Sequence, residues 1–571
     1  MKTTLTGVLP FVVLIAAALA LPLCFLLLRW YRGAVLEAMR GTATQSVSAP
    51  AIDLRPRTPS SELSIHTVTA TTEVDSTSLD RAAYRSAIIG LWQAACVYSG
   101  GAVAYAAIMT AGWLIATGDT VLVWPKVLFL FVSYSWSGVV AVLLVAGYDR
   151  IRRLQLLGAY FFTLSTLVAV ALARNAHLAF TQLPLYWLIE NGPPSLLLMT
   201  FLLRPIRAVG PLVLTFLIVV AVGSQSLLSI AGADDTILRA IATFGFGLGL
   251  GASGVFIGML VVGVALFALL GWPLLRWLGS RYERKRFSDQ SIAIDAIFLL
   301  FGIVQSIGLA FESPPWILTG LLAFVAYKCV TGLGWRLLSY TWTATNPRTL
   351  LLLRVFVLGK RSKMFFDKLR KHWQRVGSIA MIAGPDLVTT TVEPHEFLAF
   401  VSGGLSRRFI ANEAELERRI AGADGERDPD GRYRVNEFFC RADTWQVVMQ
   451  TLAESSDAVL MDLRSFSPGN QGCVYELGRL LDGVDLTRVV FLVDETTDRP
   501  FLETTLRSLW HKLDGSSPNQ TTALPHVKLF ALRRQSEVEL SALLRQLLGA
   551  RPAATAPHNV RSQRPSKFRP R

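Results

Sequence analysis

The 571-residue sequence is poor in charged residues, which make up only 17% of the chain, whereas hydrophobic residues make up 52%. Soluble globular domains usually carry about 25% charged residues. This deficit excludes an ordinary soluble enzyme and a disordered chain, and it indicates a membrane protein.

Cysteine and histidine are also scarce, with five and seven residues respectively. The cysteines are odd in number and scattered along the chain, which argues against a disulfide framework. Because neither residue type recurs at a metal-ligand spacing, we predict no metal site. The net charge of +15 reflects either nucleic-acid binding or basic residues collected on the cytoplasmic side of a membrane protein.

Apolar runs long enough to cross a bilayer occur throughout the first 340 residues, since a spanning helix needs about 20 apolar residues. Nine runs qualify: Val8–Leu28, Ala87–Ala111, Val127–Tyr148, Leu154–Leu172, Leu183–Leu203, Val209–Ile230, Phe246–Leu270, Ile292–Phe311 and Trp316–Leu333. Basic residues concentrate in alternate connections, with the largest cluster at Arg281–Arg286. We therefore predict a multi-pass protein of the cell membrane, with about nine spans and the N-terminus outside.

The first span is predicted to be an uncleaved anchor covering residues 1–29, although Ala18-Leu19-Ala20 resembles a signal-peptide cleavage site. Residues 30–85 contain a stretch rich in Ser, Thr, Pro and Ala, which predicts a disordered cytoplasmic linker. Residues 86–340 are then an eight-helix transmembrane region. Within it, Glu190 precedes Asn191-Gly192-Pro193-Pro194, a pattern typical either of a broken helix at a transporter site or of a kinked helix.

After residue 346 the pattern changes to short apolar runs that alternate with amphipathic segments, which is typical of a parallel sheet with helical crossovers. Residues 347–550 are predicted to form a cytoplasmic α/β domain with a five-stranded parallel sheet. The predicted strands are Leu352–Leu358, Ile379–Ile382, Ala458–Leu463, Val489–Val493 and Val527–Leu532. The long connection Gly384–Asp457 contains helical segments and a strong turn signal at Asp428–Gly431, and a surface elaboration is one interpretation that stays open. The basic residues 551–571 are predicted to be a disordered tail.

If the strands follow the flavodoxin-like order 2-1-3-4-5, ligands bind between the first and third strands, outside their carboxyl ends. The first of these strands is followed by Gly359, Lys360, Arg361 and Ser362. The third is followed by a loop that contains Arg464, Ser465, Ser467 and Asn470. Both loops lead into helix N-termini, which attract anions, so this edge of the sheet is the predicted binding site.

Glu476 lies in the first turns of the helix after the third strand, and we expect the positive helix end to favour its ionised form. A carboxylate in that place binds ribose hydroxyls or stabilises an oxocarbenium-like centre. The alternative is a capping role, because acidic residues are common in first helical turns.

The segment Ser467–Leu477 resembles the part of Toll/interleukin-1 receptor (TIR) domains that carries the glutamate of NAD-cleaving members. It is also similar to nucleoside deoxyribosyltransferases, with Gly472, Glu476, Leu477 and Gly478 as the matching residues. The resemblance implies a flavodoxin-like or TIR-like fold and cleavage of an N-glycosidic bond, with NAD+ or a related nucleotide as substrate and no cofactor. It implies that Glu476 holds the ribose and that the other residues bind hydroxyls (Ser465, Ser467, Asn470) and phosphates (Lys360, Arg361, Arg464).

By the same resemblance, such a protein acts as a bacterial stress or defence effector that is switched on by self-association. The expected partners are the lipid bilayer, a nucleotide and further copies of the chain. Nucleic acid is not expected, because no nucleic-acid-binding fold is indicated. Two other functions stay open: a non-enzymatic sensor or scaffold whose α/β domain self-associates, and a transporter with a regulatory domain.

Overall fold

A computed structural model describes most of the chain. The described residues are 2–40, 62–69, 78–119, 122–145, 150–174, 179–201, 206, 209–339, 347–354, 359–383, 394–401, 403–441, 444–520, 525–533 and 536–549. The predicted disordered tail, 551–571, lies outside this set.

The N-terminal part is a bundle of long apolar helices. Its helices are α1 (Lys2–Arg40), α2 (Ser78–Ala116), α3 (Trp124–Tyr134), α4 (Trp136–Val145), α5 (Arg150–Arg174), α6 (Gln182–Phe201), α7 (Gly210–Ala233), α8 (Asp235–Gly247), α9 (Ala252–Glu283), α10 (Asp289–Ala310) and α11 (Leu318–Ser339). Among the described residues, seven segments are long and apolar enough to cross a membrane. These segments suggest a membrane protein.

The seven segments omit two of the nine predicted spans, those in α6 and α7. Helix α6 contains a glutamate and two prolines, and the apolar part of α7, Leu212–Gln225, is short. Helix α7 nevertheless packs along both α1 and α9 within the bundle. Leaving α6 and α7 out of the count removes two membrane crossings. The side of the membrane on which α9 ends is therefore the same with seven spans as with nine.

The C-terminal part is an α/β domain built on one sheet in which every strand pair is parallel. The strands are β1 (Ser64–Val68), β2 (Arg348–Arg354), β3 (Gly377–Ile382), β4 (Phe409–Ile410), β5 (Val435–Cys440), β6 (Ala458–Asp462), β7 (Val489–Val493) and β8 (His526–Ala531). Their order is β1-β8-β7-β6-β2-β3-β5-β4. All five predicted strands are present, but the sheet has eight strands rather than five.

Helices cover both faces of this sheet. They are α12 (Gly359–Trp373), α13 (Pro394–Val401), α14 (Glu413–Ala421), α15 (Trp445–Ser455), α16 (Gln471–Gly483), α17 (Arg499–Trp510) and α18 (Glu537–Leu548). Helices α15, α16 and α17 pack on one face, and α12 and α18 pack on the other. Strands β6 and β7 are buried along their whole length, which explains why they appear in the sequence as continuous apolar runs.

The predicted first strand is displaced along the sequence. Strand β2 begins at Arg348 rather than Leu352, and its residues Leu350–Leu352 pair with β3 on one side and with β6 on the other. The predicted strand residues 355–358 lie outside the described residues. Taken as first to fifth, the predicted strands β2, β3, β6, β7 and β8 lie in the order 2-1-3-4-5. The first and third strands are therefore neighbours, as the predicted site requires.

The segment expected to be a disordered linker contributes an edge strand to the distant domain. Ser64–Val68 pair in parallel with His526–Phe530 of β8, and Leu63 is buried in the domain core. The structure also differs from the expected 30–85 linker at both ends, since α1 continues to Arg40 and α2 begins at Ser78. The α/β domain therefore includes residues that lie between the first two helices of the bundle as well as residues that follow the bundle.

We expect Leu63→Ala to destabilise the α/β domain although Leu63 precedes that domain by almost 300 residues in the sequence. Leu63 is 4% exposed, and truncation of a buried leucine usually costs about 2–5 kcal/mol. The measurement is hydrogen exchange of β8 in the full chain, which should accelerate. Glu62→Ala is the control, because Glu62 is exposed. Unchanged exchange of β8 would show that β1 is dispensable.

Candidate functional site

The loop after β6 is fixed to the loop after β7 by hydroxyl groups. The hydroxyl of Thr497 donates to the carbonyl of Leu463 over 3.0 Å, and the backbone N–H of Ser465 donates to Thr496 Oγ1 over 3.0 Å. Ser465 has a φ of 61°, in the left-handed region that non-glycine residues rarely adopt. Such a conformation persists only where the surroundings hold it, and it often marks a functional loop.

The same loop ends in a turn that starts α16. Asn470 Oδ1 accepts from the backbone N–H of Ser467 over 2.9 Å and from its hydroxyl over 3.0 Å. Asn470 makes no side-chain capping bond to α16. The amide of Asn470 and the hydroxyl of Ser467 therefore hold each other in the predicted site, and the first N–H groups of α16 are left without a side-chain cap.

Arg464 connects the third predicted strand to the helix after the first. Its Nη2 lies 2.6 Å from Asp462 Oδ2 and its Nε 2.8 Å from Asp462 Oδ1. The guanidinium group stacks on Phe365 of α12, 4.8 Å from the ring centre. Arg464 therefore contacts the helix that begins with the predicted residues 359–362. Arg464 itself is only 1% exposed, however, so its charge is engaged within the protein.

Glu476 is enclosed rather than open to solvent. It is 3% exposed in the second turn of α16, and its Oε2 atom has no hydrogen-bond partner among the described residues. Burial raises the pKa of Glu476 to about 8. Burial therefore opposes the ionised form that the helix end was expected to favour.

Cys473 lies three residues before Glu476 on α16, and its pKa reports the charges nearby. Burial is the main reason that the pKa of Cys473 rises to about 12, and the charges of Glu476 and Asp462 raise it further. Cys473 therefore lies within electrostatic range of both Glu476 and Asp462, the last residue of β6. A thiol with so high a pKa is protonated at neutral pH, which makes Cys473 a poor nucleophile.

The remaining predicted residues are placed only in part. Gly359, Lys360, Arg361 and Ser362 form the first turn of α12 rather than a loop before it, and their side chains lie outside the described residues. The sequence interpretation missed Thr496 and Thr497. Their signal was the polar run Asp494–Thr497, which directly follows β7 at the same edge of the sheet.

The joint between the bundle and the α/β domain is a second polar centre that the sequence interpretation missed. Arg434 lies 2.9 Å from Asp428, and its Nη2 donates to the carbonyl of Tyr282 at the end of α9. The hydroxyl of Ser288, at the start of α10, donates to Asp430 Oδ2 over 2.5 Å. Lys285 pairs with Asp424. The 384–457 connection is therefore not a surface elaboration, since it fastens the domain to the bundle.

Glu190 lies inside the bundle, where the sequence left two interpretations open. It is 9% exposed, and α6 continues as one helix through Pro193 and Pro194. Its neighbour Asn191 accepts from Gln305 over 3.0 Å, and Gln305 accepts from Tyr105 over 2.8 Å. The continuous helix favours the kinked-helix interpretation over a broken transporter helix.

Comparisons with known proteins identify no relative of this chain: no protein-family model matches it, and no curated protein is detectably similar in sequence.

Proposed function

We propose that this chain is a multi-pass protein of the cell membrane whose cytoplasmic domain cleaves the N-glycosidic bond of NAD+ or a related nucleotide. The proposal includes nine spans, with α6 and α7 among them, and the N-terminus outside. It also includes a flavodoxin-like, TIR-like domain that acts in stress or defence and self-associates through the bundle. Support for the fold comes from the 2-1-3-4-5 order of the five central strands.

The observation that carries the proposal is the buried carboxyl group of Glu476, one oxygen of which lacks a hydrogen-bond partner among the described residues. Burying such a group without a partner costs free energy and contributes nothing to packing. A ribose hydroxyl beside it would donate the missing hydrogen bond, and the positive centre of the transition state would favour the ionised carboxylate. Since Glu476 is 3% exposed, substrate entry requires neighbouring side chains to move.

The direct test is release of nicotinamide from NAD+, or of base from nucleosides, by the full chain in lipid nanodiscs. We expect Glu476→Gln to lower turnover at least ~100-fold, because it removes the charge that stabilises the transition state. Glu503→Gln is the matched control, since Glu503 lies on α17 with an exposed side chain. The proposal fails if wild-type protein turns over no substrate, or if Glu476→Gln retains full turnover.

The joint favours a second candidate, the non-enzymatic sensor in which the bundle controls self-association of the domain. Its support is the set of buried contacts that connect Arg434 and Asp430 to the α9–α10 turn. For a sensor, we expect Ser288→Ala to change the oligomeric state measured by analytical ultracentrifugation while no substrate is turned over. Turnover that depends on Glu476 would decide against this candidate.

A further inference from the structure

A cavity of about 320 Å³ lies where the bundle meets the α/β domain. Its walls come from α2, from the α9–α10 turn, from α10 and α11, and from the Asp428–Gly431 turn of the domain. None of its lining residues belongs to the predicted nucleotide site. Any molecule bound in it touches the membrane part and the soluble part together.

The charges around this cavity leave a positive excess. Its two acidic residues are already engaged, since Asp295 lies 2.8 Å from Lys328 and Asp430 lies 3.1 Å from Arg432. Arg286 and Arg336 also line the cavity and are exposed, so they lie at its opening. Neither arginine forms an ion pair with a residue in the described part of the chain. Two guanidinium groups therefore remain for an anion.

Tyr98 supplies an independent sign of a ligand. Its side chain lines the cavity and is 1% exposed, and its hydroxyl has no hydrogen-bond partner among the described residues. A buried hydroxyl without a partner costs about 1–3 kcal/mol, and native structures usually avoid it. The ring of Tyr98 packs edge-on against Trp335, which holds the hydroxyl in place. An acceptor oxygen in the cavity would satisfy this donor once neighbouring side chains shift, because the hydroxyl itself is buried.

The position of the cavity narrows the class of ligand. The α9–α10 turn contacts the α/β domain directly. The turn and the domain therefore lie on the same side of any membrane that the bundle spans. Tyr98, Tyr327 and Trp335 give the cavity aromatic walls next to the two arginines. Planar guanidinium groups match phosphate oxygens, and an aromatic wall suits the apolar part of an amphiphile.

We propose that this cavity is a binding site for a phosphate-bearing anion, which Tyr98 and the guanidinium groups of Arg286 and Arg336 hold between the bundle and the domain. The headgroup of an anionic phospholipid and a soluble phosphate compound share this chemistry. Because Ser288 and Asp430 are both in the wall and in the joint, the bound anion also strengthens the attachment of the domain to the bundle.

The test uses the full chain in nanodiscs and two probes. In one arm, native mass spectrometry measures retention of phosphatidylglycerol in otherwise phosphatidylcholine nanodiscs. In the other arm, inorganic phosphate is titrated into phosphatidylcholine nanodiscs, and hydrogen exchange of the segment 424–436 is followed. We expect saturable binding in at least one arm, with slower exchange of this segment on binding. The arm that responds identifies the source of the phosphate.

Three variants decide whether the binding occurs in this cavity. Tyr98→Phe removes only a hydroxyl that has no internal partner, so the fold should tolerate it, and we expect affinity to fall about threefold to tenfold. Arg336→Gln should lower affinity about tenfold, because it removes one of the two charges at the opening. Arg284→Gln is the control. Arg284 is exposed in the α9–α10 turn, as Arg286 is, but it does not line the cavity. The proposal is overturned if neither probe binds, or if Arg284→Gln weakens binding as much as Arg336→Gln.

Discussion

Replacing Glu476 with glutamine should make the α/β domain more stable, and the gain should grow as the pH rises. The pKa of Glu476 is about 8 in the folded protein, against an ordinary value of 4.5. The unfolded chain therefore releases this proton at a lower pH than the folded chain does. The resulting loss of unfolding free energy in the wild-type protein is absent below pH 4.5, increases between pH 4.5 and pH 8, and is complete above pH 8.

Linkage gives the size of this effect. A difference of one pKa unit corresponds to 1.36 kcal/mol, so wild-type protein should lose about 3–4 kcal/mol of unfolding free energy between pH 5 and pH 8 through this one group. Glutamine keeps the shape of the side chain and does not titrate. The stability difference between Glu476→Gln and wild type should therefore increase by about the same amount over that range.

The measurement is hydrogen exchange of α16 and β6 in the full chain at several pH values, since a protein with two parts does not unfold in a single step. Glu503→Gln is again the control, and it should follow the wild-type pH dependence. Equal pH dependence in wild type and Glu476→Gln would contradict the account. A gain in stability together with a loss of turnover is the pattern expected of a residue retained for function rather than for folding.

Replacing Asp430 with alanine should loosen the attachment of the α/β domain to the bundle. Burial alone would raise the pKa of Asp430, but Arg432, Arg375 and the hydroxyl of Ser288 hold that pKa below its usual value. Arg375 is itself buried, and it donates to the carbonyl of Asp430 over 2.6 Å. Without the carboxylate, two guanidinium groups lose the charge that compensates them.

Breaking a buried ion pair by removing one partner usually costs about 3–5 kcal/mol. We therefore expect Asp430→Ala to increase hydrogen exchange and proteolysis in the segment 424–436. Glu417→Ala is the matched control, because Glu417 is an exposed acidic residue of the same connection. Ser288→Ala is a milder change, since it removes one hydrogen bond of the joint and no charge. Unchanged exchange in both Asp430→Ala and Ser288→Ala would contradict a structural role for this joint.

The sequence predicts the centre of the sheet because β6 and β7 are buried on both faces and leave continuous apolar runs. It does not predict β1. Ser64–Val68 are mostly polar and partly exposed, as an edge strand allows, and they pair with a strand more than 450 residues later. No local sequence pattern indicates a strand pairing between segments so far apart in the chain.

The sequence likewise predicts part of the candidate site and misses the rest. The positions of Ser465, Asn470 and Glu476 follow from strand order and from the fact that parallel strands end at one edge of a sheet. The state of Glu476 does not follow, because its pKa depends on how completely its neighbours exclude water. The joint could not be predicted either, since Arg375, Asp430 and Ser288 come together only in the folded chain.

The central claim is that the buried carboxyl group of Glu476 meets the substrate. Infrared difference spectroscopy of the full chain tests it, by following the carboxyl band of Glu476 at neutral pH when NAD+ or a nucleoside is added. We expect binding of NAD+, whose nicotinamide ring is cationic, to convert the protonated carboxyl into a carboxylate with release of the proton to solvent, and we expect Glu476→Gln to abolish this change. A protonated carboxyl band that persists at saturating ligand would contradict the account.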